Sequence, residues 1–174
     1  MNAVRWKRFS WDLVQASPLG ASSLRSFQIR PAAREDERAL RDVIFSAFSL
    51  DYGWGEVVKA IQADLETQIE EAFARVPITA IVAKHGQRII AGSLLCTDAD
   101  AENHLLSGPC VLAEYRNRGI GTALLLESLQ MLKAGGVTRA YGVCKDSSAV
   151  GKFVYRKFGS TSAVHDMELA AAVF

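Results

Sequence analysis

The stretch Tyr115-Arg116-Asn117-Arg118-Gly119-Ile120-Gly121-Thr122-Ala123-Leu124-Leu125 decides how this chain is read. Two arginines and two glycines stand between an apolar, strand-like run and a long amphipathic segment. Glycine lets backbone N–H groups come close to an anion. The first turn of a helix offers N–H donors that have no partner inside the helix, backed by the positive end of the helix dipole. A turn of this composition suits phosphate groups, so it speaks to function as well as to fold.

Spacing separates the known phosphate-binding turns. A dinucleotide fingerprint needs a third glycine three residues after the second and an acid about 20 residues further on. Leu124 and Tyr141 occupy those places. A P-loop needs Gly-Lys-Ser/Thr, and Gly121 is followed by Thr122 with no lysine in the turn. What remains is Arg-x-x-Gly-x-Gly at Arg116, Gly119 and Gly121, preceded by Val111-Leu112-Ala113-Glu114-Tyr115. This resembles the coenzyme A pyrophosphate loop of the GNAT superfamily of N-acetyltransferases, with Ala113 where that family usually has proline. Downstream, Tyr155-Arg156-Lys157-Phe158-Gly159 resembles the second signature of the family, a helix ending in Tyr-x-Lys-x-Gly. The two motifs stand in family order, and the resemblance covers residues 27–174.

Composition agrees with one soluble, core-forming domain: 174 residues, 49% hydrophobic and 22% charged, with a formal net charge of +1. That charge gives no general reason to expect nucleic-acid or membrane binding. Residues 1–26 are basic, Ser-rich and nearly free of acids, and are expected to form an N-terminal extension, docked or partly disordered, before an N-acetyltransferase domain at 27–174. A transit peptide is the minority alternative, and Trp6, Phe9, Trp11 and Leu13 are available to pack onto the domain or a partner subunit. Cys96, Cys110 and Cys144 sit singly in apolar runs without metal-ligand spacing, as buried cysteines of a reducing, cytoplasmic compartment would.

Periodicity predicts a strand at Phe27–Arg30, a helix over Ala32–Phe48 and a second helix over Glu56–Arg75 closed by Pro77. Two strands at Ile78–Lys84 and Arg88–Thr97 are joined by His85-Gly86-Gln87. A strand at Leu105–Leu112 leads into the phosphate turn, and Gly108-Pro109 within it marks a bulge, because proline cannot donate to a ladder. A helix over Thr122–Ala134, a strand at Thr138–Cys144, a helix over Ser148–Phe158 and one or two strands in Ser162–Val173 complete the order. The resemblance implies an α/β (α+β) single-domain fold. Its mixed central sheet has six to seven strands, about four helices lie on both faces, and a bulged fourth strand splays from its neighbour to admit the pantetheine arm.

The same resemblance implies acetyl-CoA as cofactor and acetyl transfer to a primary amine by direct attack in a ternary complex. Backbone groups of Asn117, Gly119, Ile120, Gly121 and Thr122, with Arg116 and Arg118, are expected to hold the pyrophosphate. Pro109, Cys110 and Val111 run beside the arm, with the Val111 N–H on the thioester carbonyl, and Ser148 stands where the family often has an asparagine. Tyr155 is the candidate general acid, since a phenol of pKa about 10 stays protonated at neutral pH. Asp51, Glu56, Asp98, Asp100, Glu102 and His104 are weak candidates for a base and read as solvated loop residues. Tyr52 and Trp54 are candidates for lining the acceptor pocket. No His or acid at fixed spacing supports Cys110 as a nucleophile. The expected acceptor is a small amine-bearing molecule, with a protein lysine or N-terminus as an alternative. A non-catalytic acyl-CoA-binding sensor or interaction module is the other class, and the apolar run Leu169–Phe174 makes a homodimer conceivable.

Overall fold

Alternation of apolar and polar residues places most of the strands. In Ala80–His85, Ala80 and Val82 face one side while Ile81 and Ala83 face the other, and all four are buried. A strand buried on both faces needs helices on both. The computed structural model, which describes residues 5–15, 19–20, 24–50 and 58–166, supplies them. In chain order the strands are β1 (Trp6–Asp12), β2 (Gln28–Pro31), β3 (Ala80–His85), β4 (Arg88–Leu94), β5 (Cys110–Val111), β6 (Arg139–Lys145) and β7 (Thr161–His165). The α-helices are α1 (Glu37–Ser49), α2 (Val58–Ala74) and α3 (Ile120–Ala134), and a π turn spans Val150–Val154.

The strands form an antiparallel four-stranded sheet of order β2-β3-β4-β5 and an antiparallel three-stranded sheet of order β6-β1-β7. Leu40, Val43 and Ile44 of α1 pack with Leu65, Ile69 and Phe73 of α2 onto one face of the first sheet. On its other face, Leu124, Leu125 and Leu129 of α3 pack with Ile81, Ile90 and the buried side of the second sheet. The fold is therefore α+β, with seven strands among the described residues.

The part of the N-terminal segment that the structure describes is docked, and docked as a strand rather than as an arm. Residues 6–12 are no appendage: β1 lies between β6 and β7, pairing Trp6 through Asp12 with Lys145 through Arg139 and Trp6 through Ser10 with His165 through Thr161. The cause is visible in Phe9-x-Trp11-x-Leu13, whose alternate side chains are all buried while Arg8, Ser10 and Asp12 face outward. Leu169–Phe174, with the dimer argument built on it, lies outside the described residues.

Two other elements are shorter than expected. Of Leu105–Leu112, only Cys110–Val111 pairs as a strand, with a single bridge between Leu95 and Leu105 before it. Pro109 has no N–H to give, Gly108 turns the chain at φ +61°, and the Ser107 hydroxyl takes the Leu94 N–H in place of a carbonyl. The expected helix over Ser148–Phe158 is a π turn, in which the Tyr155 N–H reaches the Val150 carbonyl. Gly151 lies so close to β6 that a Cβ there would stand 2.8 Å from Cys144 Sγ.

The two sheets are joined between β4 and β6 by residues 103–105. His104 is fully buried there, and its N–H donates to the Tyr141 carbonyl at 2.8 Å. The Tyr141 N–H donates to His104 Nδ1 at 3.0 Å, which fixes the ring proton on Nε2, 3.0 Å from the Asp98 carbonyl that accepts it. Val143 N–H donates to Asn103 Oδ1 at 3.2 Å. His104 is thus a neutral tie between the sheets rather than a solvated loop residue. Burial, countered in part by the Asp98 carbonyl, holds its imidazole below the ordinary 6.5.

Candidate active site

Past the tie, β5 and β6 share no paired residues, and the turn before α3 and the π turn meet beside Pro109 at the start of β5. The turn before α3 holds Asn117 at φ +59° and Gly119 at φ +79°, two left-handed residues within three. Such alternation folds successive N–H groups into an anion-binding concavity. The first hydrogen bond of α3 runs from Ala123 N–H to the Gly119 carbonyl, so the N–H groups of Ile120, Gly121 and Thr122 precede the helical ladder. Ile120 is buried and anchors the turn, whereas Arg116, Asn117, Arg118 and Gly119 are exposed. A Cβ on Gly121 would lie 3.7 Å from Val154 Cγ2 and 4.0 Å from Pro109 Cβ, so the turn, the start of β5 and the π turn meet here.

The two arginines rest on backbone carbonyls. Arg116 Nε donates to the Val111 carbonyl at 3.2 Å, and Arg118 donates to the Glu114 carbonyl at 3.0 Å while its guanidinium lies 5.4 Å from the centre of the Tyr115 ring. A third cation, not among the expected site residues, stands at the mouth of α3, where Lys157 Nζ donates to Thr122 Oγ1 at 3.0 Å. Its place in Tyr-x-Lys-x-Gly was the signal that could have found it. With these three cations, the free N–H groups and the space at Gly121, the residues present fit a pyrophosphate.

On β5, the Leu112 N–H donates to the Ile90 carbonyl of β4. Backbone direction alternates along a strand, so the Val111 N–H points away from β4. Cys110 is buried, and desolvation pushes its thiol up to about 12. A thiol held there supplies no nucleophile at neutral pH, in keeping with the lack of any His or acid at fixed spacing. Ser148 spends its hydroxyl locally, accepting the Gly151 N–H at 3.1 Å.

Tyr155 is fully buried and lies in a slot cut by two glycines. A Cβ on Gly108 would be 2.7 Å from its hydroxyl oxygen, and a Cβ on Gly142 of β6 would be 3.1 Å from its ring. Phe9 and Trp11 wall the slot edge-on, with ring centroids 5.5 and 5.4 Å from that of Tyr155. Burial, reinforced by Cys144 and Cys110, raises the phenol well above 10. None of these four slot residues was assigned to the site from sequence. Asp51, Tyr52, Trp54 and Glu56 lie outside the described residues. Asp98 is ion-paired with Arg75 at 3.2 Å, well exposed, and Asp100 and Glu102 are surface or part-exposed loop residues. Among the described residues there is no cluster suited to a metal ion and no helix long and apolar enough to cross a membrane.

Solved structures share this fold. A GCN5-related N-acetyltransferase from Sphaerobacter thermophilus aligns at TM-score 0.61 and 19% identity over 92% of this chain and 49% of its own. A GNAT-family acetyltransferase from Colwellia psychrerythraea aligns at 0.61 and 14%, over 93% of this chain and 54% of its own. The glucosamine N-acetyltransferase region of a fungal multi-domain GH3 beta-N-acetylglucosaminidase aligns at 0.61 and 14%, over 94% of this chain and 20% of that one. The chain thus spans about half the length of the first two and less of the third. No curated protein matches it. The model of the acetyltransferase (GNAT) family matches residues 41–159, more than half of the chain and inclusive of both motifs, and the chain belongs to that family.

Proposed function

We propose that this protein is an acetyl-CoA-dependent N-acetyltransferase that acts on the primary amine of a small molecule by direct transfer in a ternary complex. The reading is supported by a phosphate-suited helix start that lies against Pro109 at Gly121, with the Tyr155 hydroxyl beside the neighbouring Gly108. Acetyl-CoA, when bound, supplies an acetyl group already activated as a thioester.

Each part has a task. The N–H groups of Ile120, Gly121 and Thr122, with Arg116, Arg118 and Lys157, hold the pyrophosphate, and Arg116 exchanges its bond to the Val111 carbonyl for that charge. Pro109, Cys110 and Val111 offer a strand edge to the arm, and the Val111 N–H stabilises negative charge developing on the acyl oxygen. Tyr155 Oη, beside Gly108, is protonated at neutral pH, and the negative charge developing on the departing sulfur draws that proton against the burial that disfavours the phenolate. The slot excludes water around it. The acceptor amine must arrive neutral, and water can carry its proton away.

Thiol release from acetyl-CoA in the presence of aminoglycosides, polyamines and free amino acids tests the proposal. Release with at least one class is expected, and Tyr155→Phe should lower kcat by about 10²- to 10⁴-fold, the range of a lost general acid. Full kcat in Tyr155→Phe removes the acid from the mechanism. Acetyl-CoA binding without release for any amine would leave a non-catalytic acyl-CoA binder on this fold.

A further inference from the structure

The residues that fix Tyr155 come from the far end of the chain, and they also reach the phosphate turn. Trp11, 1% exposed near the end of β1, touches Tyr155 edge-on at an interplanar angle of 88°. Its indole N–H donates to the Lys157 carbonyl at 2.9 Å, across 146 positions of sequence. The Lys157 ammonium, in turn, donates to Thr122 Oγ1 in the first turn of α3. Behind the ring, Gly142 leaves the space that Trp11 and Tyr155 share: a Cβ there would stand 3.3 Å from Trp11 Cζ3 and 3.1 Å from Tyr155 Cε2. Phe9, stacked on Trp11 with centroids 6.4 Å apart, closes the other wall.

We infer that Trp11 is a positioning residue of the active site, holding the Tyr155 hydroxyl at Gly108 and, through the Lys157 backbone, the Lys157 ammonium at the phosphate turn. The inference rests on the reading of the site as an acetyltransferase centre. The physical case is one of restraint. The segment after the π turn ends in two left-handed residues, Phe158 at φ +60° and Gly159 at φ +72°, and is followed by an edge strand. The indole bond fixes the Lys157 peptide from the opposite side. Phenylalanine, smaller than indole and without the N–H, would leave part of the slot empty and that peptide free. Small displacements of a catalytic group cost rate steeply. The N-terminal strand therefore acts as part of the site, not only as part of the sheet.

The test is a double-mutant cycle of Trp11→Phe and Tyr155→Phe, read by kcat, by KM for acetyl-CoA and by thermal unfolding. Trp11→Phe is expected to fold, to lose about tenfold in kcat/KM, the worth of one net hydrogen bond, and to change kcat less than about twofold when Tyr155 is already Phe. Phe9→Leu, which opens the slot without touching the Lys157 bond, should lower kcat and leave KM for acetyl-CoA unchanged; it serves as the probe if Trp11→Phe does not fold. Equal losses with and without the Tyr155 hydroxyl, or unaltered kcat and KM in a folded Trp11→Phe, would overturn the positioning role. No turnover by the unaltered protein would overturn the acetyltransferase reading as well, which separates the two failures.

Discussion

The two sheets of this protein are built in opposite ways. The four-stranded sheet takes its strands in chain order, β2-β3-β4-β5, and β3 and β4 are joined by a tight turn at Gly86 and Gln87. The three-stranded sheet joins β6 and β7 through a strand that begins at Trp6, more than a hundred residues away. Closing such a long loop costs entropy before any contact repays it. The second sheet is therefore held by burial of large side chains, Phe9, Trp11 and Tyr155, more than by its connections. Its stability and the proposed role of Tyr155 depend on the same rings, whereas the first sheet is a scaffold that carries the turn before α3 from its end.

Trp11→Ala should break that comparison most strongly. Truncating a fully buried tryptophan costs about 3–5 kcal/mol, and hydrogen exchange should show β6 and β7 losing protection while β3 and β4 keep theirs. Uniform loss across both sheets would mean that they unfold as one unit. The paired glycines give a smaller contrast. A Cβ on Gly142 would stand 2.9 Å from Leu105 Cδ1, between flexible and aromatic side chains, and Gly142→Ala should cost about 1–3 kcal/mol by overpacking. On β4, a Cβ on Gly92 would meet Leu40 Cδ1 and the Ile81 backbone carbonyl at 2.7 Å, and backbone yields less than a side chain, so Gly92→Ala should cost at least as much. Denaturant midpoints of the two variants decide the order.

The smallest effect concerns the tie between the sheets. His104 is favoured neutral in the folded state, so its contribution is intact above the ordinary 6.5 and declines as pH falls below it, where the unfolded chain takes up a proton that the folded one resists. Stability should fall from pH 7 to pH 5, and His104→Gln should flatten that slope. An unchanged slope would assign the acid sensitivity to other groups.

What was legible from sequence follows the same division. The turn before α3 is contiguous, and the resemblance that suggests phosphate binding is written in Arg116, Gly119 and Gly121 themselves. The strands and helices of the first sheet carry clear periods in unbroken runs. The slot around Tyr155 draws on Phe9, Trp11, Gly108 and Gly142, four residues from three regions of the chain, and no local pattern announces that they meet. A signal for β1 did exist in the alternation of Phe9, Trp11 and Leu13, but the basic, Ser-rich composition around it pointed toward an arm. The π turn carries an ordinary helical pattern in sequence, and the close approach of Gly151 to Cys144 that accompanies it joins residues of two separate elements.

The central claim, that the turn before α3 holds the phosphates of acetyl-CoA, is tested most directly by calorimetric titration of acetyl-CoA into the unaltered protein and into Gly121→Glu. The variant places bulk and negative charge where the turn meets Val154 and Pro109. Micromolar binding that disappears in a folded Gly121→Glu is the predicted result. Equal binding by both proteins, or none by the unaltered protein, would contradict it.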